Sequence, residues 1–175
     1  DFKDFGVHYD EYSSTNSPMN EKYCHQFFEK LKDKGCIEER EITQLYCEHD
    51  KMFLPDRFVK GDCPNCGAQE QYGDSCDVCS AVYQTTEIKN PSCTLCEAKP
   101  VEKSSKHLFV QLKGFSEFLK KWVPEHTDKA VANKLSEWFD EKEGLKDWCL
   151  TRDEPYFGFK VPGTQNKYYY VWFDA

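Results

Sequence analysis

The chain has 175 residues, 31% of them charged, and a formal net charge of -8. That length allows one ordinary domain, or one domain with an insertion. The acidic balance disfavours a non-specific grip on nucleic acid, DNA included, because such binding neutralises phosphates with Lys and Arg. No apolar run reaches the ~18 residues of a membrane span, and no basic-then-apolar start resembles a signal peptide.

In chain order, "DFGVHYDEY" (4–12) reads as a short strand and its exit, followed by a polar loop. Ser17-Pro18 is a helix start, with the serine as N-cap and the proline at the first helical position. Phe27, Phe28 and Leu31 continue the helical face to Gly35, a plausible stop. "EITQLYC" (41–47) alternates like a strand. From Lys51 to Lys103 the chain is rich in turns, with glycines at 61, 67 and 73 and prolines at 55, 64, 91 and 100. "KHLFVQL" (106–112) is the next strand. Helices are expected over Phe115–Val123 and from Asp128 to about Glu141, with Val131, Leu135, Trp138 and Phe139 on one face. "DWCLTRD" (147–153) and "KYYYVWFDA" (167–175) are predicted strands. The fold class is therefore α/β at the two ends, with a cysteine-rich section inserted between them. The sequence opens without Met and stops at an apolar strand pattern, so it is expected to be a piece of something longer.

Six of the ten cysteines stand in Cys-x-x-Cys pairs, a pattern that reads as metal binding in a reducing compartment such as the cytoplasm. "CPNCGAQEQYGDSCDVC" (63–79) has the spacing C-x2-C-x9-C-x2-C. Two facing turns of that kind give four thiolates at ~2.3 Å from a tetrahedral zinc. Pro64 stiffens the first turn, and Gly67 accepts a left-handed conformation just after it. Ser80 stands where a glycine would be easier. Four closed ligands (Cys63, Cys66, Cys76 and Cys79) leave no position for a substrate, which makes the site structural. Two disulfides are the alternative, and cellular redox opposes them. A thioredoxin-type pair is disfavoured because neither pair opens a helix.

Cys93 and Cys96 form a third pair without an obvious partner pair. Upstream, Cys47 and Asp50 keep the same spacing, and His49 lies one residue nearer. Cys47, Cys93, Cys96 and either Asp50 or His49 form a candidate second site; the alternative is three reduced, metal-free thiols. Spacing favours Asp50, and donor softness favours His49. Cys24, Cys36 and Cys149 are dispersed and read as small core or surface residues.

Four blocks together resemble methionyl-tRNA synthetase: "MFLPDRFVKGDCPNCGAQEQYGDSCDVC" (52–79), "SKHLFVQL" (105–112), "TRDEPYFGFKVP" (151–162) and "YYVWFDA" (169–175). The resemblance covers essentially the whole chain. It implies a class I Rossmann catalytic domain split by a connective peptide with zinc knuckles. Residues 1–43 would end the first Rossmann half. Residues 44–148 would be the connective peptide, with knuckles over 51–103 and helices after them. Residues 149–175 would begin the second half. Members often carry a Cys-x-x-Cys where this chain has 47–50, and those can hold a second zinc; other members have lost both pairs.

The resemblance also implies roles. Trp172 and Ala175 would line the methionine pocket, and Arg152 would sit near the adenylate as a catalytic charge stabiliser. ATP, methionine and tRNA(Met) would be the substrates and partners of the whole enzyme. The HIGH-type and KMSKS-type ATP signatures are absent, so this stretch alone is expected to be inactive. The insertion contains no nucleophile–base constellation, and no editing is assigned to it. The rival reading is a free-standing zinc-ribbon module that binds RNA or protein, which would not need the flanking blocks.

Overall fold

The computed structural model describes residues 2–140 and 144–175. Helix α1 spans Pro18–Asp33, and the Ser17 side chain accepts from the backbone N–H of Asn20 at 3.2 Å, as an N-cap serine does. Its face carries Cys24 and Phe28, both buried. Strand β1 (Ile37–Cys47) turns back through a short strand β2 (Met52–Phe53). Three further short strands follow: β3 (Val59–Asp62), β4 (Gln71–Tyr72) and β5 (Lys89–Cys93). They form a three-stranded sheet in the order β4-β3-β5. Gly61 is required there: a Cβ would lie 2.4 Å from the backbone oxygen of Lys89 across the β3–β5 pair.

Strand β6 (Val101–Val110) is the long partner of β1, antiparallel from Ile37↔Val110 to Tyr46↔Val101. Cation–ring contacts cross this ladder, with Lys103 Nζ 4.1 Å from the Tyr46 ring centroid and the Arg40 guanidinium 5.0 Å from that of Phe109. Helices α2 (Ser116–His126) and α3 (Lys129–Asp140) then pack on each other. Strand β7 (Trp148–Cys149) completes the four-stranded sheet β2-β1-β6-β7, and β8 (Thr151–Asp153) pairs with β9 (Lys167–Tyr169) as a hairpin. A single turn of helix, α4 (Val171–Asp174), closes the described chain.

Two cores result. One lies among the turns and holds Leu45, Leu54, Val59, Tyr83 and Ile88 together with Cys47, Cys63, Cys76 and Cys93. The other joins both ends of the chain: Cys24 and Phe28 of α1 meet Val110, Leu150, Phe159, Val161 and Tyr169. No described helix is long and apolar enough to cross a membrane.

Several sequence expectations are corrected. Residues 4–12 form no strand: a 3-10 turn at Lys3–Phe5 precedes irregular chain, and Phe2, Tyr9 and Tyr12 gather at the surface instead. The predicted strand 41–47 begins four residues earlier, and 106–112 begins five earlier and ends at Val110, because the β1–β6 ladder carries their charged halves. The strand predicted over 147–153 breaks at Leu150. That fully buried residue donates to the Leu108 carbonyl and accepts from the Tyr170 N–H, which hands the chain from one sheet to the other. The strand predicted over 167–175 stops at Tyr169 and coils into α4, so Trp172 is 71% exposed rather than inside a sheet. On α3, Val131 and Trp138 are exposed, while Leu135 and Phe139 are half-buried; the expected end at Glu141 lies outside the described residues.

Two candidate metal centres and a polar cavity

Four tight turns present the sulfurs. In three of them the residue after the second cysteine donates back to the carbonyl of the first: Gly67 to Cys63 (3.0 Å), Ser80 to Cys76 (2.9 Å) and Glu97 to Cys93 (2.8 Å). The first cysteine in turn donates to an alanine five residues on, Ala68, Ala81 or Ala98. Gly67, Ser80 and Glu97 all have positive φ, and so does Lys51 after Asp50. The segment 47–51 therefore repeats the turn with an aspartate in its second ligand position.

Cys63, Cys66, Cys76 and Cys79 place their sulfurs within 4.8 Å of one another. The Cys63–Cys79 and Cys66–Cys76 sulfurs are 3.8 and 3.7 Å apart. A tetrahedron with ~2.3 Å metal–sulfur bonds has sulfur–sulfur edges of about 3.8 Å, whereas a disulfide bond is ~2.05 Å. All ten cysteines are free. Backbone N–H groups point at the sulfurs, from Cys66 to Cys63 (3.5 Å) and from Cys79 to Cys76 (3.4 Å). Asn65 Nδ2 approaches Cys79 Sγ at 3.6 Å and, as the largest influence, holds that thiol down at about 6. Burial pushes the Cys63 thiol up, but the N–H groups of Cys66 and Asn65 prevail and lower it. Such donors favour the deprotonated sulfurs that a metal requires.

Cys47, Asp50, Cys93 and Cys96 converge in the same way, again within 4.8 Å. Asp50 Oδ2 lies 3.2 Å from both the Cys47 and the Cys93 sulfur, and Cys47 Sγ is 3.5 Å from Cys96 Sγ. The Cys96 thiol, followed by His49 and the other two thiols, holds the Asp50 carboxyl well below its ordinary range. His49 is outside the set. Its Nδ1 lies 3.0 Å from Oδ1 of Asp50, the oxygen other than the one that meets the Cys47 and Cys93 sulfurs, and its side chain is largely exposed.

Arg152 lines a cavity of about 540 Å³ between the β1–β6 sheet and the β8–β9 hairpin, together with Gln44, Leu54, Cys149 and Tyr156. Its guanidinium carbon stacks 3.7 Å from the Tyr170 ring centroid, and it donates to the Thr151 carbonyl at 2.8 Å. Trp172 and Ala175 are not in that cavity; they stand exposed on α4 and at its end. Behind the cavity is a buried polar cluster. His107, 1% exposed, sits 2.9 Å from Asp153 Oδ2 and from Gln44 Oε1, and Lys167 contacts the other oxygen of Asp153.

The family model for tRNA synthetases class I (M) matches residues 1–175. The chain belongs to that family. This class I synthetase chain is 49% identical over its whole length to a methionine–tRNA ligase of Bdellovibrio bacteriovorus. It is 50% identical, again over its whole length, to a methionine–tRNA ligase of Leptospira biflexa. It spans only about a quarter of those relatives, 25% and 26%. In fold it is similar to a Mycobacterium tuberculosis methionyl-tRNA synthetase in complex with methionyl-adenylate, with a TM-score of 0.60 at 13% identity, covering 99% of this chain and 30% of that one.

Sequence reasoning missed the His107–Asp153–Lys167 cluster of this synthetase. The available signal was a histidine inside an apolar strand pattern, "KHLFVQL", whose partners lie 46 and 60 positions on.

Proposed function

We propose that the whole protein is a methionine–tRNA ligase, which joins methionine to ATP and transfers the methionyl group to tRNA(Met). The observation that carries this reading is about 50% identity to two such ligases with no part of the chain left unmatched. Within that enzyme, residues 44–148 serve as the connective peptide inserted between two Rossmann halves, 1–43 and 149–175. Reduced thiols suit a cytoplasmic enzyme.

Cys63, Cys66, Cys76 and Cys79 hold a structural zinc in this reading. The soft four-sulfur donor set and the tetrahedral edge lengths support it. Asp50 joins Cys47, Cys93 and Cys96 as a second, weaker zinc site, supported by its place in the repeated turn. Zinc would supply a cross-link between turns that have few backbone bonds of their own. In the purified protein, Asp50→Cys is expected to raise zinc affinity at the second site, because a thiolate replaces a harder carboxylate oxygen. His49→Ala is expected to leave the stoichiometry at two. Loss of one zinc on His49→Ala, with no tightening on Asp50→Cys, would assign the fourth ligand to His49.

Arg152 is assigned to the charge that builds on the phosphate as the methionine carboxylate attacks, and Trp172 and Ala175 to the methionine pocket. A preorganised guanidinium acts where charge develops. In the full-length enzyme, Arg152→Ala is expected to lower methionine-dependent pyrophosphate exchange by about 100-fold or more in kcat, with KM for methionine little changed. A rise in KM alone would move Arg152 to ground-state binding and remove it from the chemical step.

A further inference from the structure

The register of the β8–β9 hairpin places two side chains on the cavity wall. Arg152 pairs with Tyr168, and the Tyr170 N–H donates to the Leu150 carbonyl at 2.8 Å, so the pairing continues past the end of β9. Side chains alternate along a strand, and Arg152 and Tyr170 therefore share one face as diagonal neighbours. Tyr169 turns the other way into the terminal core, where it is fully buried. Arg152 and Tyr170 both line the cavity.

The guanidinium carbon of Arg152 stands 3.7 Å from the Tyr170 ring centroid, the shortest cation–ring approach among the described residues. A guanidinium is flat and weakly hydrated, so an aromatic face holds it well. Its other restraints are few. Nη1 donates to the Thr151 carbonyl at 2.8 Å and reaches the Cys149 carbonyl only at 3.5 Å. Among the described residues, no carboxylate pairs with it. One good hydrogen bond at the end of a long side chain leaves the guanidinium plane free to swing about it. A ring packed against the plane removes that freedom. Tyr170 is itself held, by its backbone bond to fully buried Leu150 and by its ring, 6.2 Å from that of Trp148.

We propose that Tyr170 is a positioning residue for Arg152: its ring fixes the guanidinium plane and leaves the remaining N–H groups to the phosphate charge that builds in the cavity. This rests on the assignment of Arg152 to the chemical step. Tyr170 touches no reacting atom in this scheme and acts only through Arg152.

The test measures methionine-dependent pyrophosphate exchange by the full-length enzyme. Tyr170→Leu, which removes the ring face, is expected to lower kcat about tenfold with KM for methionine little changed, the size of a partly desolvated cation–ring contact. In an Arg152→Ala background the same substitution is expected to have no further effect, whereas a merely structural role would lower both backgrounds alike. Tyr170→Phe, which keeps the ring, is expected to recover most of the turnover. An undiminished kcat in Tyr170→Leu, an equal fall in both backgrounds, or a Tyr170→Phe variant as slow as Tyr170→Leu overturns the positioning role. An unchanged kcat in Arg152→Ala sinks the reading of Arg152 instead, and the positioning role falls with it. Should Tyr170→Leu fail to fold, phenylalanines carrying successively more ring fluorines at position 170 decide. Fluorines drain the negative ring face that attracts a cation, so kcat is expected to fall stepwise along that series, and a flat series overturns the proposal.

Discussion

Cys76→Ser is expected to release one zinc per chain and to unfold the turn-rich core around it. The strands there are only two to five residues long: Val59–Asp62, Gln71–Tyr72 and Lys89–Cys93. Four of the nine buried residues of their core are cysteines, with Cys47, Cys63 and Cys93 0% exposed and Cys76 2%. Structural zinc contributes ~10–16 kcal/mol of apparent binding free energy in small peptides. That is comparable to the whole ~5–15 kcal/mol stability of a typical domain, and three short strands and a few apolar side chains cannot replace it. Hydrogen exchange read residue by residue should show loss of protection over 59–93. Protection in α1 should persist, because Phe28 and its neighbours belong to the other core. A chelator should reproduce the effect in the unaltered chain. Native protection over 59–93 in metal-free protein would refute the structural role of the metal.

Breaking the polar cluster should have the next largest effect. Asp153→Asn leaves the buried His107 ring and Lys167 without their shared carboxylate. Removing one partner of a buried ion pair costs about 3–5 kcal/mol, or a fall in Tm of roughly 6–20 °C for a chain of this size. The pH dependence carries two signs. Burial pushes the Asp153 carboxyl up, but His107 and Lys167 outweigh it and the folded pKa is depressed. Its contribution is full above the unfolded value of ~3.9 and is lost as pH falls through the folded value. For His107, burial lowers the pKa, but Asp153 outweighs it and the folded value is raised. Its contribution is full below the unfolded value of ~6.5 and is lost as pH rises through the folded value. The cluster therefore stabilises most between about pH 4 and 6.5, and Tm in the unaltered chain should decline on both sides of that window. Asp153→Asn should remove the acid limb and flatten the other. Parallel Tm profiles for the two proteins from about pH 2 to 8 would mean that the cluster contributes no linked stability.

The sequence alone determined the parts that depend on local chemistry. The α1 start was legible because Ser17-Pro18 fixes a cap within three residues. The four-cysteine set was legible because each Cys-x-x-Cys turn fixes its own sulfurs, and only the facing of two turns remained to be supplied. The family was legible from four blocks in order. The tertiary structure decided whatever depends on distant partners. Only the long β1–β6 ladder shows why charged residues such as Glu38 and Arg40 belong to a strand. Leu150 breaks a continuous apolar pattern because its backbone must bond to Leu108 on one side and Tyr170 on the other. The choice between His49 and Asp50 rested on competing arguments of spacing and softness until the left-handed Lys51 placed Asp50 in the repeated turn. The raised pKa of His107 was invisible in sequence for the same reason: burial alone would lower it, and what outweighs burial is the Asp153 carboxylate, brought from the hairpin 46 positions away.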